Sequence, residues 1–465
     1  MRLMLFGLLL VANNARADVC AGDAQRVEYL RSQGNAAVYR VAAGNYTFSS
    51  RIKEPGDTQE ATRRVSQLRS ARLPALEKTL VLDESWMAQN HARIQAGDEA
   101  RAAALEGLLA QAENALQAGP FTVVSKTQAP PSGDMHDYTS RGPYWWPNPD
   151  TSDGLPYVRR DGERNPEASD PAFDDRDKMY AMANTVRTLS LAWFFSGDER
   201  FAKHAACLLK TWFLDPETRM TPHLTYGQAI PGRVEGRGIG IIDTSGLAGV
   251  VDAILLLKDS PNLTHADREA LNGWFRAYLK WLRHSDHGKD VARAHNNIGS
   301  WYDVQVVTFA LFADDDALAR RVLKAAGTRR LKAHIAPDGS QPPELDRTRT
   351  FDYSIYNLTA LFQLARLGEH AGVDLWNYPG KGKPLLQAAL DYLAPCADPE
   401  HRWPHAQLGT VNGGALWGLL LQGAVHYCPD TYRSWMAKRP PNELSGSQTL
   451  LLYPFDHFPT PQPRD

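Results

Sequence analysis

The feature that most constrains this chain is a long succession of segments with helical apolar spacing and almost no strand-like alternation. Apolar residues recur with the period of an amphipathic helix through 58–73 and 76–96, then in an Ala-rich run over 98–118. The same spacing returns over 178–196, 199–213, 244–257, 264–283, 298–312, 315–334, 350–368, 384–393 and 413–425. Helices in succession without a βαβ rhythm predict an all-α domain, and helical hairpins arranged in a ring, an (α/α) toroid or barrel with long loops, satisfy that pattern. No fixed repeat period occurs, which excludes a regular solenoid.

The chain opens MRLMLFGLLLVANNARA: a basic start, a short apolar stretch and a small-x-small site at Ala15–Ala17. This predicts a signal peptide over 1–17 and a periplasmic or secreted protein. The remainder, 18–465, reads as one domain with a polar N-terminal extension over about 18–55. No later window reads as the roughly eighteen apolar residues of a membrane helix. Lys and Arg number 51 against 53 Asp and Glu, so nothing in the overall charge points to nucleic acid or a membrane surface, and any basic site must be local. Cys20, Cys207, Cys396 and Cys428 are too few and too scattered for a disulfide framework or a zinc site, and their pairing is left open. His401 and His405 are interrupted by Pro404, and GRGIG at 236–240 lacks the full glycine spacing of a phosphate loop. No metal or cofactor is expected.

Two long loops break the helical pattern, 135–171 and 220–244. The first carries Tyr144, Trp145 and Trp146 between Pro143 and Pro147, with Arg141, Arg159, Arg160 and Arg164 around them; the second carries Arg233 and Arg237. Aromatic faces suit the C–H faces of sugars, and planar guanidinium groups suit carboxylates. Together they predict an acidic-sugar site. In a third segment, QPPELDRTRTFDYSIYNLTAL, a helix starting near Thr348 or Thr350 aligns Arg349, Tyr353 and Tyr356 on one face. A cation beside a phenol favours the phenolate, which predicts a lowered tyrosine pKa.

GPYWWPNPDTSDGLPYVRRDGERNPE, YGQAIPGRVEGRGIGIIDT, NNIGSWYDVQ and DGSQPPELDRTRTFDYSIYNL together resemble the alginate lyase superfamily of polyuronate lyases. The likeness runs over about residues 130–425, and is closer to polysaccharide lyase family thirty-eight than to family five. It implies a helical toroid that cleaves uronic-acid polymers by β-elimination. It further implies Tyr353 in proton transfer, Asn297 on the substrate carboxylate, and Arg347 or Arg349 near the tyrosine. Within the matched segments Tyr144, Trp145, Trp146, Arg159, Arg160, His223, Gln228, Arg233, Arg237, Asn296, Trp301, Tyr302, Gln341, Glu344 and Tyr356 are expected to bind substrate. An anionic polysaccharide is the expected partner.

One departure decides the mechanism. The family motif reads Asn-Asn-His, whereas this chain has Asn296-Asn297-Ile298, and an aliphatic side chain moves no proton. Either Tyr353 serves as base and acid on one face of β-1,4-linked mannuronate or glucuronate, or His295 or His223 enters the site, or the chain binds polyuronate without cleaving it. A glycoside hydrolase on the same toroid would instead need a carboxylate pair drawn from Asp174, Asp175, Asp177 and Glu344.

Overall fold

The computed structural model of the chain describes residues 79–439 and 448–454. The expected leader, the N-terminal extension and the helix expected over 58–73 lie outside the described residues. The first hairpin is α1 (Glu84–Gln95) and α2 (Glu99–Ala115), packed on α3 (Asp175–Ser196). The chain continues through α4 (Glu199–Phe213), α5 (Leu247–Leu256), α6 (His265–His284), α7 (Asp286–Ala292), α8 (Asn297–Phe312) and α9 (Asp316–Ala326). After α10 (Pro342–Leu345) and α11 (Thr350–Ala371) come α12 (Leu385–Leu393), α13 (Trp417–His426), α14 (Pro429–Met436) and α15 (Thr449–Leu452).

Helices α3, α5, α8 and α11 pack side by side as an inner row, and α4, α6, α9 and α12 lie against them as an outer row. The sequence explains this sorting. Almost every residue of α8 from Asn297 to Ala310 is buried, and a helix apolar on all sides must be enclosed. Helices α6 and α9 bury one face only, which fits the outside of the ring. The segment 238–259 is long and apolar enough to cross a membrane, contrary to the reading of the sequence, but two thirds of it is buried because it includes the inner helix α5. The expected helix over 315–334 ends its α-helical part at Ala326 and continues as a π-helical turn, Gly327–Lys332. A Cβ at Gly327 would meet the ring of Tyr378, so only glycine permits that approach.

Helix boundaries follow local chemistry. Thr264 and Asp267 form a capping box at α6, Asp198 caps α4, and the left-handed Gly197 and Gly372 end α3 and α11. The far end of the ring is tied by Asp252 of α5, whose carboxylate accepts backbone N–H bonds from Leu80, Val81 and Leu82 at 2.7–3.2 Å. Between the inner helices lies a cavity of about 230 Å³ whose lining includes Tyr180, Ser245, Trp301 and His426.

The two long loops fold over the opposite end, where the inner helices begin. Strand β1 (Thr139–Arg141) pairs in parallel with β4 (Tyr226–Ala229), Thr139 opposite Tyr226, and so joins one loop to the other. Strand β2 (Trp145–Trp146) pairs antiparallel with β3 (Val158–Arg159), Trp145 opposite Arg159.

Asp303 of α8 and Arg330 of the π-helical turn form a fully buried ion pair at 2.8 Å, and Arg329 joins the same carboxylate at 2.7 Å. Removing one partner of such a pair leaves an uncompensated charge in a low-dielectric interior. Asp303→Ala should therefore lower the unfolding free energy by roughly 3–5 kcal/mol. Denaturant titration checks this, and a loss comparable to that of an exposed pair would contradict it.

Candidate active site

The run that separates α7 from α8 resolves into two roles. Asn296 is the N-cap of α8: its side chain accepts the N–H of Ile298 at 3.2 Å. Asn297 follows as the first helical residue, 1% exposed, and both its donors face one carboxylate. Its backbone N–H reaches Glu344 Oε1, and its Nδ2 reaches Glu344 Oε2, both at 2.6 Å. An amide nitrogen carries two hydrogens, so one N–H of Asn297 remains for another acceptor. Ile298 packs against the hydrophobic core.

Glu344 is fully buried in α10, just before α11, and burial pushes its carboxyl up to about 7 against the opposing pull of the Asn297 bonds and the Arg347 charge. Its role is thus to hold Asn297, and the expectation that it touches substrate is corrected, because the residue is fully buried.

In the first turn of α11, Tyr353 donates its hydroxyl to the Tyr144 oxygen at 2.9 Å, so helix and loop meet at a pair of phenols. Arg347 lies over the Tyr353 ring, with its guanidinium carbon 4.0 Å from the centroid. Arg349 does not share that face. It occupies the N-cap position of α11, with a non-helical backbone (φ −115°, ψ 61°), and its side chain turns to Asp352 at 3.6 Å and the Leu408 carbonyl at 3.4 Å. The sequence expectation assumed helical spacing from Arg349 to Tyr353, which fails because residue 349 is not helical. The expected lowering of the tyrosine pKa is corrected too. Burial, then the neighbouring Tyr144, holds the Tyr353 phenol well above its ordinary value, outweighing Arg347.

Asp161, which the sequence reading passed over, is the fastener of this arrangement. Its carboxylate accepts from Arg347 at 2.9 and 3.2 Å, from Arg159 at 2.6 Å and from Thr348 at 3.0 Å. These bonds hold its carboxyl well below the usual range despite burial. Next to it, Gly162 has φ +76°, and a Cβ there would strike Thr348. The Asp-Gly pair within RRDGE is the turn signal that marked this position.

The aromatic loop is built the same way. Trp145 lies under Arg233 and Arg237, at 5.2 and 5.8 Å, and Trp146 lies under Arg160 at 5.0 Å. Trp146 also donates its indole N–H to the Glu163 carbonyl at 3.0 Å. Arg233 donates to the Tyr157 carbonyl at 2.8 Å. Gln228 adopts φ 51°, a conformation rare outside glycine, and is held there on every side. Its N–H donates to Ser140, its amide to Asp243, and its oxygen accepts from Arg237, each at 2.8 Å. Asp243, missed in the sequence, is buried and also accepts from Tyr138 and Ser140 at 3.0 and 2.7 Å. Its only signal was a lone acid at the end of an apolar run. Burial pulls the Arg237 guanidinium down to about 10, and its Nε has no partner among the described residues.

Among the residues expected at the substrate, Gln341, Trp301 and Tyr302 are buried, and several others are held by partners within the fold. Gln341 spends its amide on the Ser354 carbonyl at 3.0 Å and accepts from Asn357 at 2.7 Å. Tyr302 donates to the Leu282 carbonyl at 3.0 Å, and Trp301 lines the interior cavity. Tyr356 packs at a tilt of 33° on Trp301, with 4.9 Å between centroids, and faces Ser245 at 3.2 Å. His223 sits against Asp137 at 3.0 Å. His295 is exposed on the loop before α8 and makes no bond to Tyr353 or Asn297 among the described residues. The carboxylates of a hydrolase are all committed elsewhere: Asp174 to Lys178 at 2.7 Å, Asp175 to Lys126 at 3.1 Å, and Asp177 to Arg164 at 3.3 Å. Cys396 and Cys428 are free thiols.

The alginate lyase family profile matches residues 122–403. The crystal structure of an alginate lyase from Bacteroides ovatus is 35% identical, with a TM-score of 0.76, over 82% of this chain and 100% of that one. Alginate lyase A1-III from Sphingomonas species A1, as a histidine-to-alanine variant complexed with a tetrasaccharide, is 17% identical with a TM-score of 0.50, over 86% of this chain and 95% of that one. That second likeness shows the fold alone. No curated protein matches at a significant level. The chain belongs to the alginate lyase family; it is a polysaccharide lyase with the helical toroid fold.

Because Glu344 holds its proton up to about 7 when folded, against 4.5 ordinarily, the folded state binds more protons between those values. The stability that this proton confers is complete below pH 4.5 and is lost as pH rises to about 7, a change of up to about 3 kcal/mol. Asp252, raised to about 6 by burial, adds to the same trend. Glu344→Gln, which cannot ionise, should flatten this decline in unfolding free energy between pH 5 and 7. An unchanged slope would contradict the assignment.

Proposed function

We propose that the chain cleaves β-1,4-linked polyuronate, mannuronan or glucuronan, by syn β-elimination with Tyr353 as both base and acid. The observation that carries this reading is the Tyr353–Tyr144 phenol pair, 2.9 Å apart, with the Arg347 guanidinium over the Tyr353 ring.

The reaction needs the proton on C5, beside the substrate carboxylate, to become acidic. Hydrogen-bond donors aimed at that carboxylate stabilise the charge that develops as the proton leaves. The spare N–H of Asn297 and the Arg347 N–H groups that Asp161 leaves free supply it. Tyr353, as the phenolate left once its hydroxyl proton has passed to solvent, takes the C5 proton under the favouring charge of Arg347. The electrons of the C–H bond form the C4=C5 double bond, the bond from C4 to the glycosidic oxygen breaks, and Tyr353 returns the proton to that oxygen. Base and acid are one group, so the hydrogen and the leaving oxygen must lie on the same face. Mannuronate and glucuronate meet that condition and guluronate does not.

Trp145 and Trp146, held flat by guanidinium groups, would support sugar faces in flanking subsites. Burial holds the Tyr353 proton tightly and so opposes formation of the phenolate, while the Arg347 guanidinium over the ring favours it. The basic start and apolar stretch of residues 1–17 support export to the periplasm or the medium.

Tyr353→Phe keeps the ring under Arg347 but removes the proton carrier. It should lower kcat by about 10²–10⁴-fold with little change in KM, read as the absorbance of the conjugated double bond in the product. Retention of full activity would sink the mechanism.

A further inference from the structure

Net charge is close to balanced across the chain, yet one face, running from the start of α8 near the active site to its far end, is strongly basic. A depression of about 490 Å³ lies beside α8, lined by Arg283, Lys289, Arg293, His295, Tyr302 and Arg329. It adjoins a second of about 280 Å³ through Arg283, where Arg276, Lys280 and His284 continue along α6. The acids nearby neutralise little of this charge. Asp303 engages Arg329, exposed Asp286 lies 3.4 Å from Lys289, and Asp314 lies 3.9 Å from Arg276. Asp315, which lines the second depression, is occupied in capping α9. Arg283, Arg293 and Lys280 have no carboxylate partner among the described residues.

The face is also firmly built. Arg330, fully buried, donates to the carbonyls of Ala292, at 2.9 Å, and Ala294, and so pins the loop that carries Arg293 and His295. A Cβ at Gly299 would collide with that guanidinium, so the glycine permits the approach. The loop ends at the active site: His295 is two residues from Asn297, a span of at most about 7 Å.

We propose that this basic track, from His295 and Arg293 across Arg283 to Lys280 and Arg276, binds carboxylates of the polyuronate chain outside the cleavage site. The proposal rests on polyuronate being the substrate. A polymer with a carboxylate on every sugar can engage a row of cations that a short fragment cannot reach, and exposed guanidinium and ammonium groups give salt-dependent attraction without defining one pose.

Calorimetry tests it with mannuronan or glucuronan polymer and with a tetrasaccharide of the same sugar, on the full chain and on Arg283→Glu/Arg293→Glu. The milder Lys280→Gln/Arg293→Gln, at exposed positions, guards against a folding defect. The expected result is about tenfold weaker polymer binding in the first variant, a smaller loss in the second, and unchanged tetrasaccharide binding and turnover. Unchanged polymer affinity in both variants, or equal loss for polymer and tetrasaccharide, would overturn the track while leaving the lyase reading intact. A native chain that neither binds nor cleaves either polymer would overturn both.

Discussion

The buried clamp of Glu344 on Asn297 is the contact on which the rest of the site depends. It joins the start of one inner helix to the segment that launches the next, using a backbone donor and a side-chain donor from the same residue. Two bonds at 2.6 Å to one carboxylate fix both the position of Asn297 and the direction of its remaining N–H. The same segment carries Arg347 and leads into Tyr353, so a shift of Glu344 would move donor and phenol together. A carboxyl held near neutrality makes the clamp sensitive to pH, because a protonated oxygen accepts less well from Asn297.

A second carboxylate performs the complementary task from the loop side. Asp161 has low proton affinity and gathers Arg159, Arg347 and Thr348, so the aromatic loop is docked through charge-assisted bonds rather than through apolar packing. Docking brings Tyr144 to Tyr353 and places a cation over the ring. Helices supply rigidity, loops supply the aromatic and cationic groups, and two acids with opposite pKa shifts connect them.

The helical ring was legible because its signals are local. Apolar periodicity alone located most of the helices. The resemblance of the loop segments pointed to Tyr353, Tyr144 and Arg347, which the structure brings into contact, and to Asn297, which it ties to Glu344. What was not legible depends on pairing across sequence. Nothing near Asn297 announces that Glu344, 47 residues on, will take both its donors. Helical spacing favoured Arg349 over Arg347 because it extended the helix one residue too far. Gln341, Trp301 and Tyr302 belong to the matched segments, but their polar atoms and faces serve the interior. The direction of the Tyr353 shift was misjudged because a cation was weighed without the burial that outweighs it.

The central claim is that one tyrosine acts on one face of the sugar. The most direct measurement is the rate at which unsaturated product appears from mannuronan, glucuronan and guluronan, each supplied separately to the purified protein. The account predicts product from mannuronan or glucuronan and none from guluronan, where the hydrogen and the leaving oxygen stand on opposite faces. Cleavage of guluronan at a comparable rate would contradict it, because a second proton-transfer group would then be at work.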